Sequence, residues 1–206
     1  MFRFFKNIVN TIIIVFAILG IITVYNNFAG GNIGDFFANL FTINKTKVQE
    51  EVGDFSHVDE EFKVDKAVKV LGYKTVIAKH PNSGQKMIIV DSGKKTLLTE
   101  NDIKSNTVKD KLEDLCEKFK YKSTSVENIQ ILDRGYIKTY GTQVPYVKFS
   151  AKLSRFPYTT VCGIISVVET DKNNQRLIVS INDKKHYSQL ITSEFYKNVN
   201  ESKKHY

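Results

Sequence analysis

A chain of 206 residues has room for one ordinary domain and an appendage, and excludes two full domains. Hydrophobic residues at 42% and charged residues at 25% are globular values and exclude a wholly disordered chain. The net charge of +8, spread over interleaved acids and bases, describes a solvated, mildly basic surface attractive to anionic lipid or polymer. The two cysteines, Cys116 and Cys162, lie far apart with no CxxC and no His at ligand spacing, which excludes a zinc site. Their apolar flanks predict plain buried thiols, although in an oxidising compartment they could pair.

The first element in the chain is IVNTIIIVFAILGIITVY, residues 8–25, which carries no charge and shows no polar stripe. As a helix it spans about 27 Å, close to the hydrocarbon thickness of a bilayer, and is expected as an uncleaved transmembrane anchor. Arg3 and Lys6 precede it, and no Lys or Arg follows until Lys45. The positive-inside rule then predicts a single-pass membrane protein with a cytoplasmic N-terminus and an extracytoplasmic C-terminal domain. Residues 1–25 form the stub and anchor in this reading, with membrane lipid as a partner through the span.

In 26–43, Ile33, Phe36, Phe37, Leu40 and Phe41 recur at helical spacing after a Gly30-Gly31 hinge. They predict a juxtamembrane amphipathic helix at the membrane interface, or a helix packed on the domain. Residues 44–61 read as a polar linker with some helix. Its cluster of Asp54, His57, Asp59, Glu60 and Glu61 lacks a second cluster to close a coordination shell, so neither metal nor cofactor is expected.

The globular part is expected over 62–200. GYKTVIAK and QKMIIVD flank the turn HPNSG and predict a β-hairpin. Thr107-Val108-Lys109-Asp110 resembles a capping box opening a helix, whose apolar face is Val108, Leu112, Leu115, Cys116 and Phe119. Lys118, Lys120 and Lys122 suit the negative end of that helix dipole. NIQILDRGYIKTY then leads through GTQVP into YVKFSAKL. There Val147, Phe149, Ala151 and Leu153 alternate with Tyr146, Lys148, Ser150 and Lys152, predicting a strand with one wet face. YTTVCGIISVVE is apolar on both faces and predicts a central strand; RLIVSIN follows, with Leu177, Val179 and Ile181 inward. YSQLITSEFYKNV reads as a C-terminal helix, and 201–206 as a frayed tail. The expected fold class is α+β: a single N-terminal transmembrane helix followed by a mainly antiparallel sheet with flanking helices.

QKMIIVD before the amphipathic helix, the paired strands YVKFSAKL and YTTVCGIISVVE, RLIVSIN after a polar turn, and SEFYKNV at the end carry a resemblance. Over 72–200 the pattern resembles the PsbP-like fold, shared by an extrinsic photosystem subunit and the Ran-binding Mog nuclear-import factor. The resemblance implies an α/β/α sandwich that acts as a binding or assembly accessory without catalysis of its own. The alternative architecture is a cystatin-like or NTF-like fold, as in structural subunits of membrane or secretion complexes.

The residues themselves offer little chemistry. Ser188, His186 and Asp183 lie close in sequence, but local spacing alone does not make a triad. Neither GxGxxG nor GxxxxGK[ST] occurs. Lys138, Tyr140, Tyr146, Lys148 and Lys152 are expected on one outer sheet face, basic and aromatic. Such a face could stack bases, but strands favour Tyr in any case, and a protein partner is expected in place of nucleic acid. The sequence thus predicts a non-enzymatic, membrane-anchored binding or assembly-accessory domain.

Overall fold

The computed structural model describes residues 45–70, 73–93, 96–117, 126–153, 156–170 and 174–202. They form α1 (Lys45–Val52), β1 (Lys63–Val70), β2 (Tyr73–Lys79), β3 (Lys86–Gly93), α2 (Glu100–Lys104), α3 (Val108–Glu117), β4 (Val126–Thr139), β5 (Thr142–Leu153), β6 (Phe156–Glu169), β7 (Gln175–Asp183) and α4 (Gln189–Lys197). The strands build one sheet in the order β1-β2-β3-β7-β6-β5-β4. Every pairing is antiparallel.

Two meanders make this order. β1 to β3 are consecutive neighbours in the sheet; β4 to β7 are too, and bring β7 to the side of β3. The chain between β3 and β4 carries α2 and α3 over one face of the sheet. β3 and β7 are apolar in both alternating sets, which is what the centre of a sheet covered on both sides requires. Ile88, Val90, Leu177, Val179 and Ile181 point to one side and pack with Leu98, Ile103, Val108 and Leu112 around α2 and α3. Met87, Ile89 and Ile178 point to the other and meet Val48 and Val52 of α1 with Phe195, Tyr196 and Val199. Each such side chain contributes about 1.5–3 kcal/mol relative to exposure.

This corrects the expected fold class. The described residues are dominated by one seven-stranded antiparallel sheet, with four short helices added to it. The longest, α3, has 10 residues, about 15 Å of helix against the roughly 30 Å of a hydrocarbon core. Among the described residues no helix is long and apolar enough to cross a membrane. The transmembrane, signal-anchor and membrane-interface readings, with Ile33, Phe36, Phe37, Leu40 and Phe41, fall on residues outside those described, and no element of the fold supports them.

Four local differences have physical causes. The 44–61 segment, expected as a polar linker, contains α1, which buries Val48 and Val52 against the sheet. KVDKAVKV forms an additional strand, β1, whose alternation is broken by a bulge between Val64 and Lys66. The capping box belongs to Thr99 and Asp102 at α2: the Thr99 hydroxyl accepts from the Asp102 amide, and the Asp102 carboxylate accepts from the Thr99 amide. That backbone bond holds the Asp102 carboxyl below its usual pKa. Thr107 instead turns back on Ser105, its hydroxyl 2.7 Å from Oγ. In the tail, Glu201 is tied to Arg176 and Ser202 donates to the Glu50 carbonyl.

Candidate functional site

The five residues expected on one outer face are divided by the structure. Tyr146 and Lys148 lie on the side covered by α4, where the Tyr146 hydroxyl accepts from Gln189 and Lys148 Nζ donates to Gln189 Oε1 at 3.3 Å. Lys148 also lies over the Tyr187 ring, 5.5 Å from its centroid. Tyr146 and Tyr140 are both buried. The face expected to be wet is therefore closed, and neither tyrosine can meet a partner directly. Lys138 and Lys152 are exposed, at opposite ends of the β4–β5 hairpin.

Tyr140 has a structural task. With Gly141 it forms the two-residue turn between β4 and β5, both at positive φ, 50° and 77°, as a type I′ hairpin turn demands. A tyrosine there is strained, and three contacts hold it: its amide donates to the Val199 carbonyl, its hydroxyl donates to the Val52 carbonyl, and the Arg176 guanidinium stacks 4.4 Å from its ring centroid. Burial pushes its hydroxyl pKa well up. Beside it Arg176 reaches Glu201 and lies 3.8 Å from buried Asp91, with Nε lacking a hydrogen-bond partner. Burial pulls the Arg176 pKa down, but Tyr140, Glu201 and Asp91 outweigh it and the net shift is upward.

The remaining polar groups on the α1/α4 side are likewise engaged. Gln85 Nε2 donates to Ser180 Oγ, the Ser188 carbonyl and Thr192 Oγ1, while Gln85 Oε1 accepts from the Ser188 amide. The Tyr196 hydroxyl donates to the carbonyls of Ile88 and Val179 and accepts from the Ile88 amide. Ser188 caps α4 through Ile191, while exposed His186 lies 3.4 Å from Asp183; no nucleophile–base bond joins the three. Cys162 is a free buried thiol whose pKa burial raises, unsuited to nucleophilic work. Among the described residues no group of three or more His, Cys, Asp or Glu is placed to hold a metal ion.

The sheet edges differ sharply. β1 exposes Lys63, Asp65, Lys66 and Lys69, contains a bulge, and has two of its carbonyls, Val64 and Asp65, bound by Lys45. Charge, bulge and capping all block strand addition. β4 is 14 residues long, and among the described residues no strand pairs with its outer side. Its first half is interrupted by two register shifts, whereas Asp133–Thr139 pairs with β5 without a break. Three large hydrophobic side chains are exposed among the described residues, and two, Leu132 at 44% and Tyr136 at 67%, lie on β4. Arg134 Nη1 donates to the carbonyls of Ile103 and Lys104, anchoring this strand to the end of α2. Tyr136 and Lys138 remain outward.

Tyr136 was not singled out from the sequence. In DRGYIKTY it sits beside Ile137, and nothing in that pattern says that β4 ends the sheet. The sequence matches no family model and no curated protein.

Proposed function

We propose that this protein is a non-enzymatic binding or assembly-accessory domain that receives an extended segment of a protein partner along the outer edge of β4. The observation that carries this reading is a 14-residue edge strand, with no strand on its outer side among the described residues, that bears exposed Leu132 and Tyr136. Backbone amides and carbonyls on such an edge supply affinity, and alternate side chains supply selectivity. Tyr136 offers a large amphipathic contact of the kind that dominates interfaces. Lys138 beside it favours an acidic residue in the partner. The resemblance to PsbP-like and Mog-like domains belongs to the same proposal.

A photo-crosslinking amino acid at Tyr136, in the full chain in its native cells, is expected to yield discrete protein adducts. The same probe at Lys69 on β1 is expected to yield none. Lys138→Glu should lower the Tyr136 adducts about tenfold, as for an interface charge beside an anchor. Equal labelling from both edges, or none from Tyr136, overturns the assignment.

A further inference from the structure

The three large hydrophobic side chains exposed among the described residues lie beside one rim of the sheet. Leu132 and Tyr136 are on β4 itself, and the third, Leu190, is 69% exposed on α4, which packs against β4. Its neighbour Gln189 donates to the Tyr146 hydroxyl, and Tyr146 stands opposite Gly135 in the β4–β5 pairing. A Cβ on Gly135 would lie 2.8 Å from that hydroxyl oxygen, so a side chain here would collide with the tyrosine ring. The start of α4 thus reaches the middle of β4 on one side of the sheet. On the other side, Arg134 stands opposite Val147 of the α2/α3 core. Tyr136, two positions on in unbroken register, shares that side.

The order of residues along β4 suits a second β4. A two-fold axis perpendicular to the sheet runs two such strands antiparallel and keeps each face on its own side. Directly opposed residues share a face, so a residue can oppose only itself or one an even number of positions away. Within the regular stretch Asp133–Thr139, an axis at Asp133, Arg134 or Lys138 sets that charge against itself. An axis at Tyr136 sets Arg134 against Lys138, and one at Ile137 or Thr139 runs the pairing into the β4–β5 turn. Gly135 is the centre that avoids all of these. It opposes Arg134 to Tyr136 twice, once on each side of the axis, and Lys138 to Leu132 with Asp133 one position away. Arg134 is already held for this role, because Nη1 donates to the Ile103 and Lys104 carbonyls. A guanidinium fixed in this way loses little freedom on stacking against a tyrosine ring. The Lys138 stem can lie along Leu132 while its ammonium stays in water.

We propose that the partner received by β4 is a second copy of this chain, paired β4 to β4 about Gly135 as a symmetric dimer. This rests on the reading of β4 as a partner-binding edge and names the partner. One continuous antiparallel sheet runs through both copies. Two Arg134–Tyr136 pairs flank the axis on the α2/α3 side, and the two Leu190 side chains flank the seam on the α4 side. The backbone groups on the rim supply the affinity, and the charge order along β4 sets the register.

The test uses the purified full chain with benzoylphenylalanine, a photo-crosslinker, at position 136, mixed in equal parts with heavy-nitrogen-labelled chain. Irradiation is expected to give adducts of twice the chain mass, with mixed-isotope peptides joining position 136 to residues 132–136. Sedimentation velocity should show monomer passing to dimer between about 1 and 100 μM, as for an interface at the small end of the size range. Tyr136→Lys sets an ammonium against Arg134 at both pairs and should weaken dimerisation about tenfold or more. Tyr136→Glu sets a carboxylate there and should keep it within about threefold of the parent. Position 136 is exposed, so both variants should keep the parent melting temperature, which separates lost pairing from lost folding. Equal losses in the two variants, or mixed-isotope peptides elsewhere on the chain, overturn the dimer. A chain that stays monomeric while position 136 labels a different protein in cells also overturns it, but leaves the partner-binding edge standing. No adduct from position 136 in either setting overturns both.

Discussion

The two faces of this sheet solve the same burial problem with different materials. The α2/α3 side is almost entirely aliphatic: Ile88, Val90, Ile165, Val167, Leu177, Val179 and Ile181 fill it with few polar atoms. The α1/α4 side is built from Phe62, Tyr140, Tyr146, Phe195 and Tyr196, threaded by the Gln85–Ser180–Thr192 bonds and the Arg176–Asp91 pair. An aliphatic face tolerates exchanges of similar volume, because any close-packed set will serve. A face of buried polar groups tolerates few, because each group that loses its partner leaves another unsatisfied. The first face supplies much of the burial; the second fixes where α1, α4 and the terminal segment dock.

Breaking the second face at its charge pair should have the largest effect. Arg176→Met removes the guanidinium beside Asp91, which is 2% exposed, and is expected to cost about 3–5 kcal/mol in urea unfolding. Lys74, 4.0 Å from the same carboxylate, limits the loss. Adding Asp91→Leu should restore most of it, because the uncompensated charge is then gone. If the single variant costs less than about 1 kcal/mol, the contrast between the faces fails. Tyr196→Phe tests the hydrogen-bonded part. It strips one hydroxyl from the Ile88 amide and the Ile88 and Val179 carbonyls and should cost about 1–3 kcal/mol. Ile165→Val, one methylene on the aliphatic side, should cost about 1 kcal/mol by the same measurement.

A test without a substitution is a pH dependence to which the two faces contribute with opposite signs. Lys86, on the aliphatic side, has its pKa lowered from 10.5 to about 8. Between those values the unfolded chain binds the proton that the folded chain has released. Stability should therefore rise with pH across that window, by up to about 1.4 kcal/mol per unit. Burial is the main cause; Asp65 opposes it, and Lys79 and Lys66 add to it. On the other side, burial raises the hydroxyl pKa values of Tyr140, Tyr187 and Tyr196 above 10.0. Above that pH the unfolded chain loses protons that the folded chain keeps, so stability should fall. Denaturation midpoints from pH 7 to 11 should show a maximum near pH 10, and Lys86→Met should remove the rise while leaving the fall. A rise unchanged by Lys86→Met would place its origin elsewhere.

Most strands were legible because their signal is local. Period-two alternation in YVKFSAKL, the continuous apolar run in YTTVCGIISVVE and the HPNSG turn each identify an element from its own residues. β1 was hidden because a bulge interrupts KVDKAVKV just where the alternation would have been counted. The helix start at Thr99 was as visible as the one at Thr107; both carry Thr followed by an acid three residues later, and only tertiary packing separates them. The candidate site was the least legible part. Alternation does place Tyr146 and Lys148 on opposite sides from Val147 and Phe149, yet it cannot say that α4, some 40 residues later, covers them. Nor can it say that β4 lies at the rim, because strand order is set by which meander returns beside β3 and not by any one strand. Tyr136 and Tyr140 differ by four positions in one stretch; one is at the surface and the other is locked under Arg176.

Asp54 and Asn200 exchange both backbone hydrogen bonds as an isolated bridge, so the segments that enter and leave this domain run side by side. In chain terms the domain is nearly a closed ring. A short linker could join the two segments, and new ends could open at exposed Pro81 and Asn82 in the β2–β3 turn, without removing a strand from the sheet. The same adjacency sets both segments beside the β4–β5 turn, where the Tyr140 amide donates to the Val199 carbonyl and its hydroxyl to the Val52 carbonyl, so one turn residue fastens entry and exit together.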